Sequence, residues 1–188
     1  MRYGLPTTVN IGEDVYEIRT DFRVILEIIE AINDPELENA EKLQCVLVMF
    51  YPAWETIRDV ETAIRECFRF IDMGNEAKQG KGPRLMDWEN DFEYIIAPVN
   101  RVLGLEARSV PYDEENNSGG LHWWTFMSAY MEIGGDCLIS QIVRIRDKKA
   151  HGKPLEKYER QWYRRNRHLV DLKTRYTKEE EDLLKQWT

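Results

Sequence analysis

The sequence predicts a mainly α-helical protein, a multi-helix bundle with a small N-terminal β-hairpin. Apolar residues recur every three to four positions through most of the chain, and cap-type residues precede several of these stretches. Strict alternation of apolar and polar residues is convincing only near the N-terminus. We therefore expect a single helical domain over residues 1–176, with the hairpin at about 5–19, and a short, loosely attached helix at 177–188.

The composition narrows the class of protein. The 188 residues are 43% hydrophobic and carry a net charge of −8, which suits a soluble domain with a sizeable core. The three cysteines are far apart in apolar helical patterns, and no Cys/His cluster suggests a metal, so we expect neither metal nor cofactor. The N-terminus has no apolar signal core, and no apolar run approaches about 18 residues, so we expect no membrane partner.

The hairpin is predicted where residues alternate around Gly12, Glu13 and Asp14. An isolated hairpin is marginally stable in water, so it must pack on helices or add to a partner sheet. Apolar stripes and cap residues then predict the helices in chain order. The first helix follows Asp21, the second runs from Asp34 to about Tyr51, and the third starts near Asp59. A fourth carries Pro98, which should kink or break it, and a long charged helix is predicted at roughly 154–172.

The rest of the chain is organised around residues 121–146, where two apolar helices flank a Gly-Gly turn. The first stripe consists of Leu121, Trp124, Met127 with Phe126, and Met131, and the second of Leu138, Ile139, Ile142 and Val143. Adjacent residues on a helix point about 100° apart. Trp123 and Trp124 can therefore both be buried only if two other elements flank this helix.

Positive charge is concentrated in residues 144–175, where twelve bases against four acids leave a local net charge of +8. A basic helix that carries Arg160, Trp162, Arg164 and Arg165 can bind phosphates and stack bases. Alternatively, this is a solvated face that pairs with the acidic N-terminal half or with another copy of the chain. The acidic remainder of the chain would repel nucleic acid, so we do not expect nucleic acid to be the partner. We do expect the chain to associate with further copies of itself.

No residue pattern defines a catalytic site. The three histidines share no helical spacing, and the glycine- and lysine-containing loop near residue 80 lacks the spacing of a phosphate-binding loop. We therefore expect that the protein is not an enzyme.

The order of short motifs resembles the gene-product-fifteen-like proteins of long-tailed bacteriophages and prophages of Gram-positive bacteria. The motifs are TDFR at 20–23, DFEYI at 91–95, LHWW at 121–124 and DC at 136–137, and the resemblance covers roughly residues 5–176. The chain departs from the family pattern in the loop MGNEAKQGKGP, in the loop DEENNSGG and in its acidic final helix.

The resemblance implies a non-enzymatic tail assembly chaperone. Such a protein acts in the host cytoplasm, binds the tape measure protein, helps to recruit major tail protein subunits and is absent from the finished particle. On this hypothesis an apolar groove between helices holds amphipathic helical segments of the tape measure protein. Trp123 or Tyr130 would be rim or groove residues if either is exposed. The alternatives are nucleic-acid binding through residues 144–175 and a minor structural protein of the virion.

Overall fold

A computed structural model describes residues 4–75 and 82–177. Within these ranges it contains eight α-helices and two small antiparallel hairpins, so the predicted fold class is confirmed. The strands are β1 (Thr8–Ile11), β2 (Asp14–Glu17), β3 (Tyr112–Asp113) and β4 (Ser118–Gly119). The helices are α1 (Phe22–Asn33), α2 (Asn39–Phe50), α3 (Val60–Ile71), α4 (Trp88–Leu103), α5 (Trp123–Met131), α6 (Leu138–Ala150), α7 (Lys157–Arg165) and α8 (Arg167–Val170). The helix predicted at 177–188 lies, apart from Thr177, outside the described residues.

The chain forms two compact units. Of the described residues, the first unit holds 4–75, 108–128 and 175–177, and the second holds 82–107 and 129–174. In neither range does any helix combine the length and the apolar character that a membrane span requires.

The core of the first unit is built from aromatic rings. Helix α2 packs against α1 and α3, and β1 lies against α3. Phe126 stacks on Phe22 at 4.7 Å between ring centroids and on Trp123 at 5.8 Å, and Phe50 meets Phe70 at 5.4 Å. All five rings are buried, so each contributes a large apolar area to the core of this unit.

The face of α5 that is buried differs from the predicted one. Trp123 and Phe126 are buried, whereas Trp124 and Met127 are half-buried and Met131 is exposed. The predicted stripe is therefore confirmed at Leu121 and Phe126, whereas Trp123 is buried in place of Trp124 and Met131 is not part of the buried face. Apolar residues occupy neighbouring positions here, so spacing alone does not decide which of two adjacent faces turns inward.

A buried carboxylate joins α1 to the start of α5. Asp21 caps α1 by accepting the backbone N–H of Arg23 at 3.0 Å, and it also accepts the N–H of Leu121 at 2.8 Å. The N–H of Phe22 donates to the carbonyl of Leu121, and the N–H of Trp123 donates to the carbonyl of Thr20. The motifs TDFR and LHWW therefore meet through backbone hydrogen bonds, a contact between residues about 100 positions apart.

The second unit is held by a buried ion pair. Helix α6 packs against α4 and α8, and Arg146 on α6 binds Asp91 on α4 through both carboxylate oxygens, at 2.5 and 3.0 Å. The same guanidinium donates to the carbonyls of Leu85, Leu169 and Val170. One side chain thus fixes α4, α6 and α8 together, and it satisfies three carbonyls that would otherwise lose hydrogen bonds.

Three predicted element boundaries are corrected. Helix α2 begins at Asn39 behind a capping box of Glu38 and Glu41, because Asp34 instead ends α1 and accepts the N–H of Glu36. The long helix predicted at 154–172 is two helices, α7 and α8, that separate at Asn166, where the Asn166 side chain donates to the carbonyl of Trp162. Helix α4 is not split at Pro98 but continues to a left-handed cap at Gly104.

The second hairpin, β3–β4, was not predicted. Its strands have two residues each, and they flank the polar sequence that reads only as a loop. Strands this short carry no measurable alternation, so the sequence offers no signal for them.

Candidate partner-binding surfaces

A cleft of about 220 Å³ in the first unit runs beside β1. We call it the β1-edge cleft. One wall is the segment from Pro6 to Asn10, and the floor comes from α3 and the start of α5. Its lining residues are Pro6, Thr8, Val9, Asn10, Glu66, Arg69, Phe70, Gly74 and Trp124.

The hairpin register defines which backbone groups face this cleft. The N–H of Ile18 donates to the carbonyl of Thr7, and β1 pairs with β2 so that Val9 lies opposite Tyr16 and Ile11 opposite Asp14. In an antiparallel pair, hydrogen-bonded and non-hydrogen-bonded residue pairs alternate. The N–H and C=O groups of Thr8 and Asn10 therefore point away from β2.

The floor of the cleft is anchored by two indole rings. Trp124 Nε1 donates to the carbonyl of Phe70 and Trp123 Nε1 to that of Ile71, each at 2.9 Å. These carbonyls belong to the last turn of α3, where the regular helical donors run out, and the Phe70 carbonyl also accepts the N–H of Met73. The two tryptophans therefore cap α3, and the ring of Trp124 stays beside the cleft.

His122 fixes the chain that leads into β1. Its Nδ1 accepts the backbone N–H of Trp124 at 3.0 Å, and its Nε2 lies 2.9 Å from the carbonyl oxygen of Pro6. An N–H can only donate and a carbonyl can only accept, so the ring is neutral with its proton on Nε2. Burial lowers the pKa of His122 below its ordinary 6.5, which agrees with this assignment.

The first unit is strongly acidic. Its described residues include eighteen acidic against eight basic side chains, a net charge of −10. Within the cleft, Arg69 Nη1 lies 3.4 Å from Glu66 Oε2, so those two charges offset each other. The surroundings of the β1-edge cleft therefore attract cations and repel anions.

Helix α3 also carries a partly exposed apolar row, which we call the α3 stripe: Val60, Ile64 and Phe68. Val60 is 43% exposed and Phe68 37%, and Ile64 is half-buried. At 100° per residue the stripe lies on the opposite flank of α3 from Glu66 and Arg69. The helix thus presents two separate surfaces on its two sides.

Ion pairs engage five bases of the basic segment 144–175. Among the described residues of the second unit, five of its twelve bases pair with three acids, Asp91, Glu159 and Asp171. Asp91 lies in the N-terminal half, as one sequence alternative proposed, whereas Glu159 and Asp171 belong to the basic segment itself. Arg160, Arg164 and Arg165 are exposed on α7 and Trp162 is half-buried, so four of the candidate residues lie on one short helix.

The two aromatic candidates of the central helix differ in exposure. Trp123 is 1% exposed, so it cannot be the exposed rim or groove residue that the sequence analysis considered. Tyr130 is half-buried; its hydroxyl donates to the sulfur of Met86 and its ring packs against Trp88 at 5.3 Å. Burial raises the pKa of Tyr130, as expected for a side chain that packs within the second unit.

Sequence reasoning missed the β1-edge cleft, although it placed the hairpin correctly. The only available signal was that an isolated hairpin needs a helix or a further strand to pack on. Which strand edge stays open follows from the register and from the position of α3, and neither is encoded in local spacing.

The model of one protein family, described as Bacteriophage Gp15 protein, matches residues 1–172. Comparison with curated proteins and with solved structures gives no significant match. The sequence motifs that suggested the resemblance fall largely at joints of the fold. TDFR and LHWW meet around Asp21, and DFEYI supplies the Asp91 that binds Arg146.

Proposed function

Because the chain belongs to the Bacteriophage Gp15 protein family, we propose that it is a tail assembly chaperone that binds the tape measure protein during tail morphogenesis. The proposal includes action in the host cytoplasm without catalysis, recruitment of major tail protein subunits, and absence from the mature virion. Family membership supports the phage origin, and the surface of the first unit supports the mode of binding.

The observation that carries the binding mode is the α3 stripe. An apolar row at spacings of four residues is the complement of the apolar face of an amphipathic helix. The acidic charge of the first unit excludes acidic segments and favours basic ones. We therefore propose that helical segments of the tape measure protein lie along α3, with Phe68 as the largest contact.

Co-expression tests the proposal. The tape measure protein encoded next to this chain is produced with and without it, and the soluble fraction is measured. We expect this chain to raise the soluble fraction and to co-purify with the tape measure protein. A tape measure protein that stays equally insoluble in both cases contradicts the proposal.

Matched variants locate the surface. Replacing both Val60 and Phe68 with Gln removes two apolar contacts, and we expect at least a tenfold loss of affinity if each is worth about 1 kcal/mol. Tyr158→Gln is the control, because Tyr158 is also exposed, at 57%, but lies on α7 of the second unit. An equal effect of both changes argues against the α3 stripe.

Two further measurements separate the alternatives. Mass spectrometry of purified particles distinguishes a chaperone from a minor structural protein of the virion. Nucleic-acid binding through residues 144–175 would appear at low salt and weaken steeply as salt rises. The local pairing of five of those bases leads us to expect no such binding. Size-exclusion chromatography with light scattering tests the proposed self-association.

A further inference from the structure

The outer edge of β1 is open for pairing. Thr8 and Asn10 are exposed, and their outward N–H and C=O groups have no hydrogen-bond partner among residues 4–75 and 82–177. A strand edge with unpaired backbone groups is a template for another extended chain. Proteins use such edges to bind peptides by adding a strand to the sheet.

The β1-edge cleft borders β1 on the side away from β2, since Thr8, Val9 and Asn10 line it and none of its lining residues belongs to β2. Side chains of Val9 and Ile11 point to the buried side of the hairpin, and those of Thr8 and Asn10 point to solvent. A residue opposite Val9 on an added strand would point to the same buried side, because neighbours across a sheet share a face. It would enter the cleft beside the stacked rings of Phe70 and Trp124, where there is room for one large apolar side chain.

Charge identifies the occupant. A second copy of this hairpin would bring two first units together, each with a net charge of −10, and their repulsion opposes that pairing. Glu13 and Asp14 lie at the end of the same hairpin and add to the local negative charge. The edge therefore suits a segment of another protein that is extended, carries one large apolar residue and has basic residues beside it.

We propose that the outer edge of β1 binds such an extended basic segment by strand addition, with its apolar side chain in the β1-edge cleft. This inference concerns a different surface from the α3 stripe, and it holds whether or not the tape measure protein is the partner. Recognition is through the backbone of Thr8 and Asn10 and through the rings of Phe70 and Trp124.

The hairpin itself supplies a matched pair of variants. Asn10 and Val15 face each other in a non-hydrogen-bonded pair, so neither N–H takes part in the β1–β2 ladder. Proline at either position removes an outward N–H and obstructs one edge only. Asn10→Pro blocks the edge beside the cleft, and Val15→Pro blocks the opposite edge of the same hairpin.

The experiment uses the full chain and a display library of random ten-residue peptides. Circular dichroism first confirms that the wild type and both proline variants are equally folded. The selected peptides are then synthesised, and their affinity for each of the three proteins is measured by fluorescence anisotropy. We expect peptides with an apolar residue flanked by Lys or Arg, and an affinity loss of about tenfold or more for Asn10→Pro, the equivalent of one or two hydrogen bonds. Val15→Pro should bind like the wild type.

N-methylation of the selected peptides gives a second measurement that does not depend on protein variants. Methyl groups on alternate peptide nitrogens should abolish binding in one phase, where the N–H faces β1, and spare it in the other. Failure to select any peptide, equal affinity of both proline variants, or equal tolerance of both methylation phases overturns the proposal. A wild-type dimer that Asn10→Pro dissociates would also overturn it, because the edge would then serve a second copy.

Discussion

Removal of the Arg146 side chain should cost the second unit a large share of its stability. Arg146 is 7% exposed and Asp91 is 1% exposed, and five hydrogen bonds at 2.5 to 3.1 Å converge on the guanidinium. Arg146→Met leaves a buried carboxylate without its cation and three carbonyls without a donor. Breaking a buried pair from one side costs about 3–5 kcal/mol, out of a typical total of about 5–15 kcal/mol.

The assay is urea-induced unfolding followed by circular dichroism, with the free energy of unfolding compared between variants. Arg144→Met is the control, since Arg144 lies on the same helix but is half exposed and sits 3.5 Å from Glu159. We expect a loss below about 1 kcal/mol for that variant. The double replacement of Asp91 by Leu and Arg146 by Met should cost less than Arg146→Met alone, because it removes both charges of the pair and strands neither.

A loss below about 1 kcal/mol for Arg146→Met would refute this reasoning. It would mean that water reaches the Asp91 carboxylate and replaces the guanidinium. Equal losses for the single and the double replacement would show that the three carbonyls left without a donor, and not the stranded charge, set the cost.

Three further predictions concern the joints of the fold. Gly120→Ala should destabilise the first unit by about 3 kcal/mol, because φ is +78° and the added Cβ would lie 2.3 Å from Asp21 Oδ2; Gly135→Ala, with open space around it, should change the unfolding free energy little. The unfolding free energy should fall as pH drops below about 6.5, since protonation of His122 removes the acceptor of the Trp124 N–H, and His122→Gln should flatten this dependence in urea titrations. Desolvation would raise the pKa of Asp171, but hydrogen bonds from Lys149, Arg167 and Tyr163 outweigh it and lower the pKa to about 2. The contribution of ionised Asp171 to the free energy of unfolding is therefore complete above the ordinary value of 3.8 and is lost as pH falls toward 2. Thermal unfolding of Asp171→Asn should lack this acid step.

These pH effects occupy separate windows, so one set of melts distinguishes them. A stability that does not change between pH 7 and pH 5.5 would contradict the proposed tautomer of His122. Equal melting temperatures of the wild type and Asp171→Asn at pH 3 would contradict the role of the Lys149, Tyr163 and Arg167 contacts. A neutral effect of Gly120→Ala would mean that Asp21 can move without releasing Leu121.

Sequence patterns predicted the elements that depend on interactions between residues close together in the chain. The side chains of Asp21 and Asp59 cap α1 and α3 as expected from residue type. The start of α2 was misplaced because Asp34 and Pro35 resemble a helix start as strongly as Glu38 and Glu41 do. Here two local signals compete, and tertiary packing selects one.

The long-range features had no local signal. The position of α8 depends on Arg146, which donates to the carbonyls of Leu169 and Val170 from more than 20 residues earlier in the chain. The burial of Trp123 in preference to Trp124 depends on Phe22 and Phe126, and on the capping of α3. The β1-edge cleft needs the hairpin, α3 and α5 together, so no window of sequence contains it.

Trp123 and Trp124 of α5, whose indole rings cap the end of α3, give the protein an intrinsic fluorescence signal. Trp124 borders the β1-edge cleft, whereas Trp123 is sealed in the core only one residue away. Any molecule that enters the cleft should shift the emission of the first ring and leave the second as a reference. Comparison of the wild type with Trp124→Phe would isolate that signal among the six tryptophans, so occupancy of the cleft can be followed in solution without a label.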